Sequence, residues 1–463
     1  MHPCQAHGVG RWEEISGNPE VTFMHSVLLP NTDKVLYWGY TRADQSRLWD
    51  YSTPAGSYSA PANQPASLPG MNINTSDMWS AAHAILSTPE GLALIHGGFS
   101  PNNSFVFNPV TLAWTQVGST VENRFYATTL VIADGRALTL YGPSAKNIEA
   151  YTHGVGWAPP AALPVTMNQH QFYPWTFLLP DSRLFIAGPH MPTQRFDWTE
   201  PLAVESFATI FGDRSTAGGE KGTAILQILR PPAYEPIVLI MAGNLPATAN
   251  TAEQINLAAP SPAWSALPNM NQARDQQCTA TLLPDGRIFI GGGTLGGADG
   301  GPCEIFDPRN PGLGWQLGPN MTYKRSYHSS FILLRDGTIV AGGDPGDGGG
   351  PTPHERFYPD YASVPRPVIG NAPLSINYGA NFVIDTPDAT MISEVVLLRP
   401  GAVTHGFNMS QRGIECLING IDPGNITVAA PPSANHQPPG WHLLFILDLN
   451  KVPSVGRWIR LMP

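Results

Sequence analysis

Cysteine, charge and long apolar runs are all scarce in this chain, and each scarcity closes off a class of answers. There are four cysteines in 463 residues, Cys4, Cys278, Cys303 and Cys416. That is too few for a disulfide framework in a chain this long, and none lies in a C-x-x-C pair, so one bridge at most is expected. Charged residues make up 13%, the formal net charge is -10 and no Lys/Arg run occurs, which argues against nucleic acid or an anionic membrane as partner. No segment is long and apolar enough to span a bilayer, and Met1 to Gly10 lacks the apolar core of a signal peptide. The chain therefore reads as a soluble monomer acting on small molecules, cytoplasmic as written and secreted if a leader was removed. N-x-S/T triplets at Asn74, Asn102, Asn320, Asn408 and Asn425 leave the compartment open, because such triplets often arise by chance.

Glycine and proline, by contrast, are abundant, at 47 each, and 42% of residues are hydrophobic. Many short turns around a real core point to an all-β fold rather than to disorder. A non-repetitive chain of this length would suggest about three domains. Repetition changes that count. The stretch Arg325 to Pro345, R-S-Y-H-S-S-F-I-L-L-R-D-G-T-I-V-A-G-G-D-P, reads as a hairpin. Phe331 to Leu334 and Thr338 to Ala341 are its strands, Asp336-Gly337 its turn, and Gly342-Gly343 its close.

The same hairpin recurs at His25 to Gly39, His83 to Gly98, Tyr126 to Gly142, Tyr173 to Gly188 and Cys278 to Gly293, with a degenerate copy ending at Gly243. After most copies an aromatic-polar pair marks a third strand: Trp49-Asp50, Phe107-Asn108, Phe196-Asp197, Phe306-Asp307 and Phe357-Tyr358. Trp114, Trp157, Trp264 and Trp315 open a fourth. Four short strands per unit, a period of roughly 45 to 55 residues and a Gly-Gly pair are the kelch-type signature, whose units close radially into a β-propeller. Seven blades are expected over residues 1–365. From 366 to 463 the strands are spaced differently, N-F-V-I-D-T-P, E-V-V-L-L-R-P, N-I-T-V-A-A-P and W-H-L-L-F-I-L-D. They predict an immunoglobulin-like β-sandwich of about 100 residues.

Few motifs carry chemistry by themselves. Tyr327 and His328 open the first strand of their hairpin, where neighbours point to opposite faces, so both could reach one metal only at a strand end or a bulge. Taken alone, Tyr327 reads as a core aromatic, His328 as a turn residue and His405 as a loop histidine. His25, His83 and His170 read as histidines satisfied by backbone hydrogen bonds. Asp344 to Gly350 resembles a calcium loop only superficially, since it lacks the closing glutamate. No G-x-S-x-G or Walker motif is present.

Taken together, R-S-Y-H in a hairpin, P-R-P-V-I at the domain junction, L-R-P-G-A-V-T-H-G-F-N-M-S-Q-R and P-P-G-W-H-L-L-F-I-L-D followed by V-P-S-V-G-R-W-I-R-L resemble the motifs of the copper-radical oxidases, the galactose oxidase and glyoxal oxidase family, in that family's order. The resemblance covers nearly the whole chain. It implies that a loop of the sandwich drops a histidine, here His405, into the propeller's central channel. It further implies that His328 and His405 are the imidazole ligands of one copper ion. Tyr327 resembles the axial tyrosine that takes the alcohol proton, and Tyr126, in R-F-Y, resembles the equatorial tyrosine that is oxidised to a radical. Two imidazoles and two phenolates suit a tetragonal Cu(II) with a position open for substrate or water. The family oxidises a small alcohol or aldehyde with O2, giving hydrogen peroxide.

One position departs from the pattern. The family bonds its equatorial tyrosine through sulfur to a cysteine, and the matching segment here, Asp77-Met78-Trp79-Ser80-Ala81-Ala82-His83, puts Ser80 there. A hydroxyl cannot form that thioether, so no Tyr-Cys cross-link is expected. Three readings compete: a copper oxidase, with or without altered chemistry; a copper-binding relative that does not oxidise; and a metal-free propeller that binds glycan or protein.

Overall fold

A short turn with Asp or Gly, such as Pro284-Asp285-Gly286 or Arg335-Asp336-Gly337, between two apolar runs commits most of the repeated segments to a hairpin, and in the computed structural model these hairpins organise the chain. The structure describes residues 9–39, 45–53, 56–99, 102–200, 203–215, 221–243, 249–275, 277–293, 300–343 and 350–463. The leading segment with Cys4, and nearly all of the Asp344 to Gly350 loop, lie outside these residues.

Seven antiparallel sheets follow one another. Their innermost strands are His25–Leu28, Ala81–Ile85, Thr128–Val131, Thr176–Leu178, Thr223–Leu226, Thr279–Leu282 and Ser330–Leu333, every residue of which is buried. The strand of the seventh sheet lies against those of the sixth and the first, closing the propeller. Outer strands alternate or face solvent, as in Ala113–Ser119, which suits an edge that meets water. The aromatic-polar pairs do end third strands and the tryptophans do open fourth ones, for example Pro302–Phe306 against Trp315–Asn320. The last blade differs. Its fourth strand is Gly10–Glu14, paired with Glu355–Pro359 so that Trp12 lies opposite Phe357. The N-terminal segment thus completes the blade begun by Arg325 to Pro345 and ties the two ends of the propeller together. The hairpin of that blade runs Ser330–Leu333 and Ile339–Gly342, so Tyr327 and His328 precede the strand rather than open it.

A device repeated between blades escaped the sequence reading. Arg124, Arg214, Arg274 and Arg325 are fully buried, and each meets a buried glutamate on the third strand of its blade: Glu149 at 2.7 Å, Glu253 at 2.9 Å, Glu304 at 3.1 Å and Glu355 at 3.2 Å. Each carboxylate also accepts backbone N–H bonds from the incoming connection, as Glu149 does from Val121 and Glu122. A buried ion pair repays its desolvation only when its remaining lone pairs are satisfied in this way. The consequence is positional. Arg124 and Arg325 each lie two residues before a tyrosine, Tyr126 and Tyr327.

Beyond the propeller, a five-stranded sheet containing Ile392–Leu398 and Gly440–Asp448 packs with the three strands Asn381–Asp385, Asn425–Ala429 and Ile418–Asp422. Asn381–Asp385 alternates exposed and buried, as a sandwich strand should. Trp441 and Trp458 donate their indole N–H groups to the carbonyls of Pro89 and Thr32, fastening the sandwich to the propeller. The described cysteines Cys278, Cys303 and Cys416 are free and buried. No helix among the described residues is long and apolar enough to cross a membrane.

Candidate metal centre

The loop between Leu398 and Gly413 leaves the sandwich, forms the strands Ala402–Thr404 and Phe407–Asn408, and joins the sheet of the first blade. Thr404 pairs with His25, and Val403 with Ser26. The little hairpin also touches the innermost strands of the second, sixth and seventh blades, so it stands on the propeller axis. Its tip is His405-Gly406, both at positive φ. A Cβ on residue 406 would lie 2.6 Å from the Cys278 carbonyl, and Thr223 Oγ1 donates to the Gly406 carbonyl at 2.7 Å. Only glycine fits there, and His405 is held at one height in the channel.

Around the axis, a residue one to three positions ahead of six of the seven innermost strands takes a left-handed conformation: Ser80 (φ 59°), Tyr126 (56°), Tyr173 (38°), Gly222 (78°), Gln277 (39°) and His328 (63°). Five of these carry side chains that rarely adopt such a φ, and strain of this kind collects where function demands it. The kink settles the alternation problem. Because His328 is left-handed at the strand end, Tyr327 and His328 turn to the same side, their ring centroids 3.8 Å apart. Bonds donated by backbone N–H groups link the ring of residues: Tyr126 N–H to Ser80 O at 3.1 Å and Tyr173 N–H to Tyr126 O at 2.7 Å, and His328 N–H to the Gln277 side-chain Oε1 at 2.9 Å.

These constraints bring together the residues singled out in the sequence. The hydroxyls of Tyr126 and Tyr327 are 3.1 Å apart. The ring of His405 lies 5.1 Å from that of Tyr126, 5.2 Å from that of His328 and 6.2 Å from that of Tyr327. Ser80 Oγ sits 3.4 Å from His405 Nε2. Burial pushes the pKa of His328 down to about 3 and that of His405 well below its usual value, His328 and His83 adding to the latter effect. Both imidazoles are therefore neutral at pH 7, the form that donates a lone pair to a metal.

Several contributors had no legible motif. Thr404 Oγ1 lies 2.6 Å from His405 Nδ1; a bond there fixes the ring and leaves Nε2 to face Ser80 and the tyrosines, as outer partners do for metal-binding histidines. His25 stacks on Trp38 at 4.8 Å and accepts the Ser80 N–H at 3.0 Å through Nε2, which positions Ser80; its buried Nδ1 has no hydrogen-bond partner among the described residues, so the backbone satisfies only one of its nitrogens. Tyr173, wholly buried, tilts against both Tyr126 and His405. His170 bonds the Gln194 side chain at 2.9 Å, whereas His83 lies edge-on to Trp38 and to His25 and near enough to His405 to lower its pKa. Among the described residues no three His, Cys, Asp or Glu side chains gather around one point. A metal on this axis would need the phenols, and the set of two neutral imidazoles and two phenol oxygens fits Cu(II).

Aromatic side chains border Tyr126. Phe125 lies 4.4 Å and Phe172 5.5 Å from its ring, both edge-on. Trp79 packs on Phe125 and stacks at 5.3 Å on Phe99, which is 63% exposed.

Residues 57–355 match the family model described as Glyoxal oxidase N-terminus. The chain belongs to the glyoxal oxidase family. Residues 366–461 match the Galactose oxidase-like, Early set domain, the sandwich whose loop carries His405. Family relatives include Aldehyde oxidase GLOX1 of Arabidopsis thaliana, 26% identical over 98% of this chain and 85% of that protein. Galactose oxidase of Gibberella zeae is 25% identical over 98% of this chain and 71% of its own length. Among solved structures, a fungal alcohol oxidase in complex with copper superposes with a TM-score of 0.82 at 21% identity, covering 98% of this chain and all of its own, a likeness of fold.

Proposed function

We propose that this member of the glyoxal oxidase family is a mononuclear copper oxidase that takes a small alcohol or aldehyde and O2 to the two-electron-oxidised product and hydrogen peroxide. One observation carries the reading: Tyr126, Tyr327, His328 and His405, drawn from three distant segments, meet on the propeller axis with both imidazoles neutral. Copper bound there would supply one-electron redox chemistry and a position for the substrate oxygen. The chain's own residues do the rest. His328 and His405 hold the ion through neutral nitrogens, the latter oriented by Thr404. Tyr327 is the less buried of the two phenols, so its oxygen is the one placed to accept the substrate hydroxyl proton. Tyr126, packed among Phe125, Phe172 and Tyr173, is the second oxidisable group. A second group is required because the substrate gives up two electrons and copper takes one.

The apolar border around Tyr126 favours substrates with an apolar or aromatic body over polyhydroxylated ones, since Phe99, which is exposed, and half-buried Trp79 offer surface that gains by being covered. The non-oxidising and metal-free alternatives raised by Ser80 are the less favoured readings, because the relatives named above are oxidases. Two measurements test the proposal: copper content of the reconstituted protein and a peroxide assay over a panel of small alcohols and aldehydes. One copper per chain with peroxide release is expected. Failure to bind copper overturns the reading, and bound copper without peroxide from any substrate reduces it to the non-oxidising alternative.

A further inference from the structure

Every fully buried arginine between blades is matched by a buried glutamate, as with Arg124 and Glu149. Two other buried arginines break that rule. Arg399 and Arg412 are 7% and 5% exposed, and among the described residues neither has a carboxylate within ion-pair distance. They stand at the stem of the loop that carries His405, where Arg399 N–H donates to the Arg412 carbonyl at 2.9 Å. Like charges directly across such a stem repel.

The guanidinium groups are partly satisfied by carbonyls. Arg399 donates to Pro438, Pro439 and Ile85, at 2.9 to 3.1 Å. Arg412 donates to Leu178, His436 and Asn435. Carbonyl dipoles accept hydrogen bonds but carry no net charge, so the two positive charges stay uncompensated. The ionisable neighbours add nothing negative. Tyr378 is a neutral phenol with its pKa raised by burial, while burial and these arginines hold His436 and His442 neutral. Two small cavities, about 30 and 20 Å³, adjoin the stem, and Arg399, Gln411 and Arg412 line both. Each has room for a water-sized or slightly larger sphere.

We infer that a monatomic anion of the chloride class binds between Arg399 and Arg412 and supplies the counter-charge that the chain itself omits. Its place gives it a role. By neutralising the stem, the ion holds the propeller-sandwich junction together and fixes the base of the hairpin that delivers His405.

The test uses the full-length copper protein at constant ionic strength, with chloride exchanged against gluconate. Binding to the folded state alone raises Tm with the logarithm of chloride concentration, by about 1 °C per tenfold in a chain of this size once above Kd. Crystals soaked in bromide should show an anomalous peak beside Arg399 and Arg412, which separates this site from halide at the metal. R412Q should lose both effects; if that variant does not fold, the bromide map of the natural protein still decides. A Tm indifferent to halide, or only ordered water at the stem in the bromide map, overturns the inference.

Discussion

The hydroxyl oxygens of Tyr126 and Tyr327 lie 3.1 Å apart although 201 residues separate them along the chain. Each is placed by the same local device, an arginine two residues earlier locked to a buried glutamate, followed by a left-handed residue at the entrance of the strand. The third segment arrives from the sandwich, and Thr404 orients its histidine. Thr404→Val keeps the shape but removes the partner of His405 Nδ1, so copper affinity should fall by about 10- to 100-fold. Competition with a chelator of known affinity measures it; an unchanged affinity would remove His405 from the ligand set.

Ser80 is the position at which sequence and family part company, and the structure sets its Oγ 3.4 Å from His405 Nε2 while its carbonyl accepts the Tyr126 N–H at 3.1 Å. The natural protein should therefore lack the intense visible and near-infrared bands of a sulfur-modified radical. In Ser80→Cys, copper and O2 should join the new thiol to Tyr126, forming a C–S bond, passing two electrons to O2 and lowering the mass by two hydrogens. Peptide mapping detects the product. A variant that binds copper yet never cross-links would mean that the tyrosine ring is turned away from residue 80.

Arg124 and Glu149 form a pair with no exposure on either side chain. Arg124→Met leaves a buried carboxylate uncompensated and should cost about 3 to 5 kcal/mol. Adding Glu149→Leu should recover a large part of that loss. Chemical denaturation of the two variants decides whether the pair is coupled as described, and copper retention in the double variant reports whether Tyr126 keeps its place.

Acid should weaken the fold before its carboxylates titrate. Burial lowers His83 and His170 to about 4 and His328 to about 3, from 6.5. An unfolded chain takes up protons at these sites below about 6.5 while the folded chain does not, so their contribution is fully present above that pH. It drains away as pH falls from 6.5 towards 4. Tm measured across that window should drop steadily, and His170→Asn should flatten the slope. A flat profile down to pH ~4.5 would contradict the burial of these rings.

What the sequence determined by itself is local and periodic. Turn chemistry, the recurring Gly-Gly close and the aromatic that ends each third strand are relations between near neighbours, so four-stranded units and a following sandwich could be read directly. Motif resemblance singled out Tyr126, Tyr327, His328 and His405, but spacing alone left Tyr327 and His328 on opposite faces of a strand. The left-handed φ of His328 that turns them to one side is imposed by the surrounding fold, including the bond from its N–H to Gln277 in the next blade. Likewise, nothing local announces that Gly10–Glu14 will complete the seventh blade, or that Thr404 will pair with His25. Those contacts join residues hundreds of positions apart, and only closing the propeller offers each edge its partner. The same holds for Arg399 and Arg412. Two arginines near a histidine are unremarkable in a sequence; packing the sandwich onto the propeller is what removes them from water without giving them a carboxylate.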